Sequence, residues 1–146
     1  MPEAVWADLK AGDKEGVIEE MVGRLYAAGK IPEREAVLKA IWERERKMST
    51  GLQNGIAVPH GRTDAVAGLT AAVGIHRAGV DFGALDGKPC HIFIMTISPV
   101  SRAGPHMQFL AEVSRLVSRP EERERLLKAH THAEVYDVLI GKKQGA

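Results

Sequence analysis

The chain has 146 residues, 45% hydrophobic and 27% charged, with 20 basic side chains against 19 acidic ones and a net charge of +1. One domain of that length buries roughly two-thirds of its unfolded surface; no apolar run approaches the ~20 residues of a membrane-spanning helix, and the charge balance gives no support for a nucleic-acid partner. The single cysteine, Cys90, excludes an internal disulfide and fits a reducing compartment, and the N-terminus lacks the basic-then-apolar order of a secretory signal, so a single-domain cytoplasmic protein is expected.

Val17, Ile18, Met21, Val22 and Leu25 recur at helical spacing behind Asp13, a natural N-cap, and Gly29 marks the stop. Ile31-Pro32 predicts the start of a second helix, with Ala36, Val37, Ala40 and Ile41 on its apolar face and a charged run from Glu43 to Lys47 at its end. Ser49 to Gly55 has loop chemistry. Ile56-Ala57-Val58 reads as a short strand halted by Pro59, Thr70 to Ile75 as a second strand, and Asp81 to Pro89 as a turn region centred on Asp86-Gly87. His91 to Ser98 is a continuous apolar run suited to a strand covered on both faces. Met107 to Val117 predicts an amphipathic helix ending near Pro120, and Glu121 to Ala129 a short charged one. Thr131 and Glu134 form a capping box before Val135, Val138 and Leu139, and 142–146 read as a frayed tail. Helices, then strands, then helices, with no linker or repeat, point to one sheet with helices on both faces.

Six histidines are the candidates for proton or phosphoryl chemistry. His60 has the most informative setting. An apolar strand runs into Pro59-His60-Gly61; Pro59 fixes the backbone and Gly61 permits a sharp turn, which together would present one imidazole at a strand end, where open sheets keep their crevices. His106 opens the helix that follows Gly104-Pro105. It is read either as an exposed helix-start residue or as a phosphate contact beside unpaired backbone N–H groups. His130 and His132 flank the expected cap Thr131, so their rings diverge and metal binding is not expected; His76 and His91 read as ordinary strand-end residues. Arg44, Arg46 and Lys47 end the second helix, where cations are favourable in their own right, although a guanidinium there can also reach an anion. No Walker spacing is present, so nucleotide hydrolysis is not indicated.

Arg44-Glu45, Ser49-Thr50-Gly51 and the block Asn54-Gly55-Ile56-Ala57-Val58-Pro59-His60-Gly61-Arg62 resemble the active-site signature of bacterial phosphotransferase-system enzyme IIA domains of the fructose/mannitol class, which includes the nitrogen-regulatory type. The likeness continues through Val80-Asp81-Phe82, Asp86-Gly87-Lys88-Pro89 and His106-Met107-Gln108-Phe109-Leu110-Ala111, and covers the chain from about residue 8 to 140. It implies a single α/β domain, a three-layer α/β/α sandwich around a mixed sheet. It implies that His60 accepts a phosphoryl group through Nε2, with Arg44 and His106 as the assisting active-site residues. It also implies a histidine-containing phosphocarrier protein as donor and either a IIB domain or a regulated protein as target, with no metal, nucleotide or other cofactor. A chain with no fused membrane or IIB-like domain is expected to serve nitrogen regulation ahead of sugar transport. Gln53, Pro105 and Met107 depart from the family pattern without removing a catalytic group.

Overall fold

The computed structural model describes residues 4–101 and 104–139; the tail expected at 142–146 lies outside them. The chain runs β1 (Ala4–Trp6), α1 (Lys14–Ala27), α2 (Arg34–Glu45), β2 (Ile56–Ala57), β3 (His60–Arg62), β4 (Thr70–Val80), β5 (Cys90–Ser98), α3 (Gly104–Val117), α4 (Pro120–Lys128) and α5 (His132–Leu139). The five described strands form one mixed sheet in the order β1-β4-β5-β2, with β3 also pairing β5. β4 and β5 are antiparallel, while β1, β2 and β3 run parallel to their neighbours.

α1 is the helix its apolar periodicity predicts. The Asp13 side chain accepts the Gly16 N–H at 2.7 Å, and Val17, Ile18, Met21, Val22 and Leu25 are all buried. Gly29 follows with φ +71, a left-handed turn open to glycine at no steric cost. α2 starts later than expected. Glu33 is extended, with φ −136 and ψ 119, so Pro32 lies outside the helix rather than in its first turn, and Ile31 is drawn into the core instead. α4 begins on Pro120, and α5 begins with the expected box, the Glu134 N–H donating to Thr131 Oγ1 at 3.1 Å.

Three sheet features differ from expectation. β1 is only three residues long, too short to show a period, and is placed by pairing with β4 rather than by its own pattern. β4 runs five residues past Ile75, through a register shift between Ile75 and Val80. His76 therefore lies within the strand and not at its end. Its Nδ1 accepts the Gly79 N–H at 3.0 Å and its Nε2–H donates to the Ala11 carbonyl at 2.7 Å, which satisfies the buried ring on both sides. Finally, Pro59 interrupts its strand without ending it. Proline has no N–H to give, but the Pro59 carbonyl accepts from Thr96 N at 3.1 Å, and the chain resumes alongside β5 as β3.

Side-chain alternation splits the core in two. Phe93, Met95 and Ile97 of β5 pack against α1 and α2 with Ala57, Ala72 and Phe82. Ile92 and Ile94 pack on the other face with Ile56, Val73, Phe109, Leu126, Val135 and Val138, which belong to the sheet and to α3, α4 and α5. Helices thus cover both faces of a mixed sheet, the three-layer arrangement expected.

Candidate functional site

The site grows from the edge where β3 pairs β5. His60, Gly61 and Arg62 register with Thr96, Ile97 and Ser98. Gly61 faces α2 so closely that a Cβ there would lie 2.7 Å from the Ala40 carbonyl carbon and 2.8 Å from Ile41 N. Glycine is required at this position for close approach of two backbones, and not for the sharp turn expected, since Gly61 continues in the strand. Alternation then turns His60 and Arg62 to the opposite face, toward the α3–α5 layer.

The half-buried His60 ring is held by its own backbone: Nδ1 lies 2.8 Å from the Val58 carbonyl oxygen. A carbonyl only accepts, so Nδ1 carries the proton and the neutral ring keeps its lone pair on Nε2. Beside His60 the sheet face changes character. Ile92 and Ile94 give way to Thr96 and Ser98, both 0% exposed, whose hydroxyl oxygens find no hydrogen-bond partner among the described residues.

Arg44 stands in the last turn of α2, and its Nη1–H donates to the Met48 carbonyl at 2.7 Å. The segment after α2 folds back on β2: Val58 N donates to Thr50 O at 3.0 Å, Gly51 bridges Ala57, and Leu52 N donates to Ile56 O at 2.7 Å. Arg44 starts from α2, on the face opposite the one His60 uses, and its guanidinium is held at the Met48 carbonyl.

Glu45 is a residue whose role the sequence reading missed. It is only 4% exposed. One carboxylate oxygen accepts Thr50 N at 2.7 Å and the Lys14 ammonium at 2.8 Å, and the other accepts Thr50 Oγ1 at 2.6 Å. Lys14 in turn lies 4.8 Å from the centre of the Phe82 ring. A buried charge needs such partners, and these fix how the segment leaves α2. Nothing in the run Glu43 to Lys47 distinguishes this acid from a solvated one.

His106 is the third residue of α3, and its side chain lies outside the described residues, as do those of Pro105 and Met107. His132 belongs to the scaffold, its Nδ1 accepting the Ala7 N–H at 3.1 Å, and His91 Nδ1 donates to the carbonyls of His76 and Arg77. Burial pushes the Cys90 thiol up to about 11, with Asp86, Asp81 and Glu45 adding to the effect. Such a thiol is inert near neutral pH. No helix among the described residues is long and apolar enough to cross a membrane.

Comparison with known proteins gives this geometry a context. Residues 1–142 match the family model described as "Phosphoenolpyruvate-dependent sugar phosphotransferase system, EIIA 2". The chain is 39% identical over 126 residues to the PTS system fructose-specific EIIA component of Haloferax volcanii, covering 86% of this chain and 82% of that protein. It is 37% identical over 132 residues to the fructose-specific EIIABC component of Bacillus subtilis, covering 90% of this chain and only 21% of that longer protein. Among solved structures, the nitrogen regulatory protein IIA-Ntr of Neisseria meningitidis superposes with a TM-score of 0.81 at 30% identity, covering 92% of each chain. The family match spans the end of α2 that carries Arg44, the sheet edge that carries His60 and Arg62 and the helix that carries His106, and the chain belongs to the EIIA 2 family of the phosphoenolpyruvate-dependent sugar phosphotransferase system, as a phosphotransferase component.

Proposed function

We propose that His60 takes a phosphoryl group from the phosphohistidine of a histidine-containing phosphocarrier protein. The lone pair on Nε2 forms the new N–P bond, the bond from phosphorus to the donor's ring nitrogen breaks, and that electron pair returns to the donor ring. Nδ1 keeps its proton throughout. The carrying observation is the 2.8 Å contact from Nδ1 to Val58 O, which aims the ring and sets the tautomer before any donor arrives. Phosphoryl transfer of this kind depends on positioning and charge stabilisation more than on covalent machinery. Arg44 would supply N–H donors to the phosphoryl oxygens, and His106, in the first turn of α3, another.

Two downstream roles remain, each with its own support. Fold likeness to the Neisseria meningitidis nitrogen regulatory protein supports a regulatory role, in which the added charge of about −2 changes which protein binds. Identity to the fructose-specific component supports relay to a IIB domain, as does structural similarity to the mannitol IIA of Escherichia coli, whose structure was solved in complex with phosphorylated IIB, at a TM-score of 0.79 and 26% identity.

The test is incubation with phosphoenolpyruvate and the general phosphorelay proteins. One acid-labile, base-stable phosphoryl group per chain is expected. His106→Ala should label more slowly to a similar endpoint, and His60→Ala not at all. Rapid discharge by a fructose- or mannitol-type IIB domain favours relay; a stable phosphorylated state favours regulation. Absence of label on the wild-type chain contradicts the proposal.

A further inference from the structure

Arg62 lies two residues beyond His60 on the same face of β3, about 7 Å along the strand. It is exposed and makes no hydrogen bond or ion pair with the described residues. Its register partner is Ser98, and that of His60 is Thr96. These four polar side chains form a square at the edge of a face that is otherwise Ile56, Val58, Ile92 and Ile94. Two corners of the square are fully buried hydroxyls with nothing among the described residues to bond. An orphaned buried hydroxyl is destabilising, so a fold that keeps two of them together has a use for them or a ligand to satisfy them.

We infer that Arg62, backed by the Thr96 and Ser98 hydroxyls, is a second anion-binding arm of the acceptor site, contacting the phosphoryl group as it passes from the donor to His60. This rests on the reading of His60 as acceptor and adds three residues to it. Arg44 spends one of its N–H groups on Met48 O; Arg62 has its whole planar fork available, a shape matched to phosphoryl oxygens. The hydroxyls donate to oxygens without adding charge, and they lie on the sheet side of the group while the guanidinium approaches from solvent. Arg62 therefore acts on the rate of transfer and not on whether His60 can hold the product, because the N–P bond is made to Nε2 alone.

The experiment measures second-order transfer from the phosphorylated phosphocarrier protein at several salt concentrations, for the wild type, Arg62→Ala, Arg62→Lys, Thr96→Val and Ser98→Ala. Arg62→Ala should slow transfer at least about tenfold, flatten its salt dependence, and reach the wild-type endpoint. Arg62→Lys, which keeps the charge but loses the fork, should recover the salt dependence and part of the rate. Thr96→Val and Ser98→Ala should each slow transfer about two- to tenfold while leaving thermal stability unchanged or raised. Wild-type rate and salt dependence in Arg62→Ala, with the wild type labelled on His60, overturn this inference alone. An unlabelled wild type overturns the acceptor reading and this inference with it.

Discussion

Nδ1 of His60 and the carbonyl oxygen of Val58 sit 2.8 Å apart, a contact that spans Pro59. The ring of one residue is thus oriented by the backbone two positions before it, and the proline between them restricts how far that backbone can drift. The neutral imidazole should be the Nδ1–H tautomer. Nitrogen-15 NMR of the histidine side chains at pH 8 should show a protonated Nδ1 and an unprotonated Nε2 for His60; the opposite pattern contradicts the orientation described.

Glu45 is the anchor for the segment that Arg44 reaches. Glu45→Ala removes the acceptor for Thr50 N, Thr50 Oγ1 and Lys14 together. Lys14 is partly solvated and recovers some hydration, so the expected loss is about 2–4 kcal/mol, read as a lower urea midpoint with an unchanged slope. Phosphoryl transfer by the folded variant should slow as well, because the Met48 carbonyl loses its fixed position. Wild-type stability contradicts the account of Glu45.

Much of this arrangement was legible in the residues. The periodicity of Val17 to Leu25, the cap at Asp13 and the box of Thr131 and Glu134 are local signals, and local hydrogen bonds realise them. The apolar run of β5 announced a strand covered on both faces, and both clusters use it. What escaped depends on partners distant in sequence. β1 exists because β4 accepts it, the second half of β4 follows a bulge satisfied by His76, and Glu45 is buried because Lys14, thirty-one positions earlier, comes to meet it. At the site, His60 stood out through its proline and glycine neighbours. The reason for the glycine did not, since no local pattern reveals that α2 will lie against β3.

Gly61→Ala tests that approach. The added methyl would meet backbone atoms of Ala40 and Ile41 at under 3 Å, and backbone cannot rotate away as a side-chain end can. Overpacking of this kind costs about 1–3 kcal/mol. The separation of β3 from α2 should also misplace His60 relative to Arg44. A lower melting temperature together with slower labelling is expected; a variant with wild-type stability contradicts the close packing.

Acid should loosen the contacts that tie the middle and last turn of α1 to residues 8–11 before it. Burial alone would raise the Glu20 carboxyl, but hydrogen bonds from Ala11 N and Lys10 N and the Arg24 guanidinium outweigh it and hold the group below the ordinary 4.5. Asp8 is likewise held below 3.8: desolvation raises it, and the hydrogen bond and charge of Arg24 win. With folded values depressed, these carboxylates contribute stability above their unfolded pKa values, and the contribution is lost as pH falls through the folded ones. The melting temperature should therefore drop as pH falls below about 4.5. Glu20→Gln should lower stability by about 1 kcal/mol at pH 7 and show a shallower acid decline. An equally steep decline in the variant contradicts the assignment.

The central claim is that Nε2 of His60 carries the phosphoryl group. Phosphorylation of uniformly nitrogen-15-labelled protein by the phosphocarrier, followed by NMR of the histidine rings, reads the modified atom directly through its coupling to phosphorus. The predicted result is one new N–P bond, at Nε2 of His60, with the Nδ1 proton retained and no signal in His60→Ala. A phosphoryl group on Nδ1 of His60, on any other histidine, or at full level in His60→Ala would contradict it.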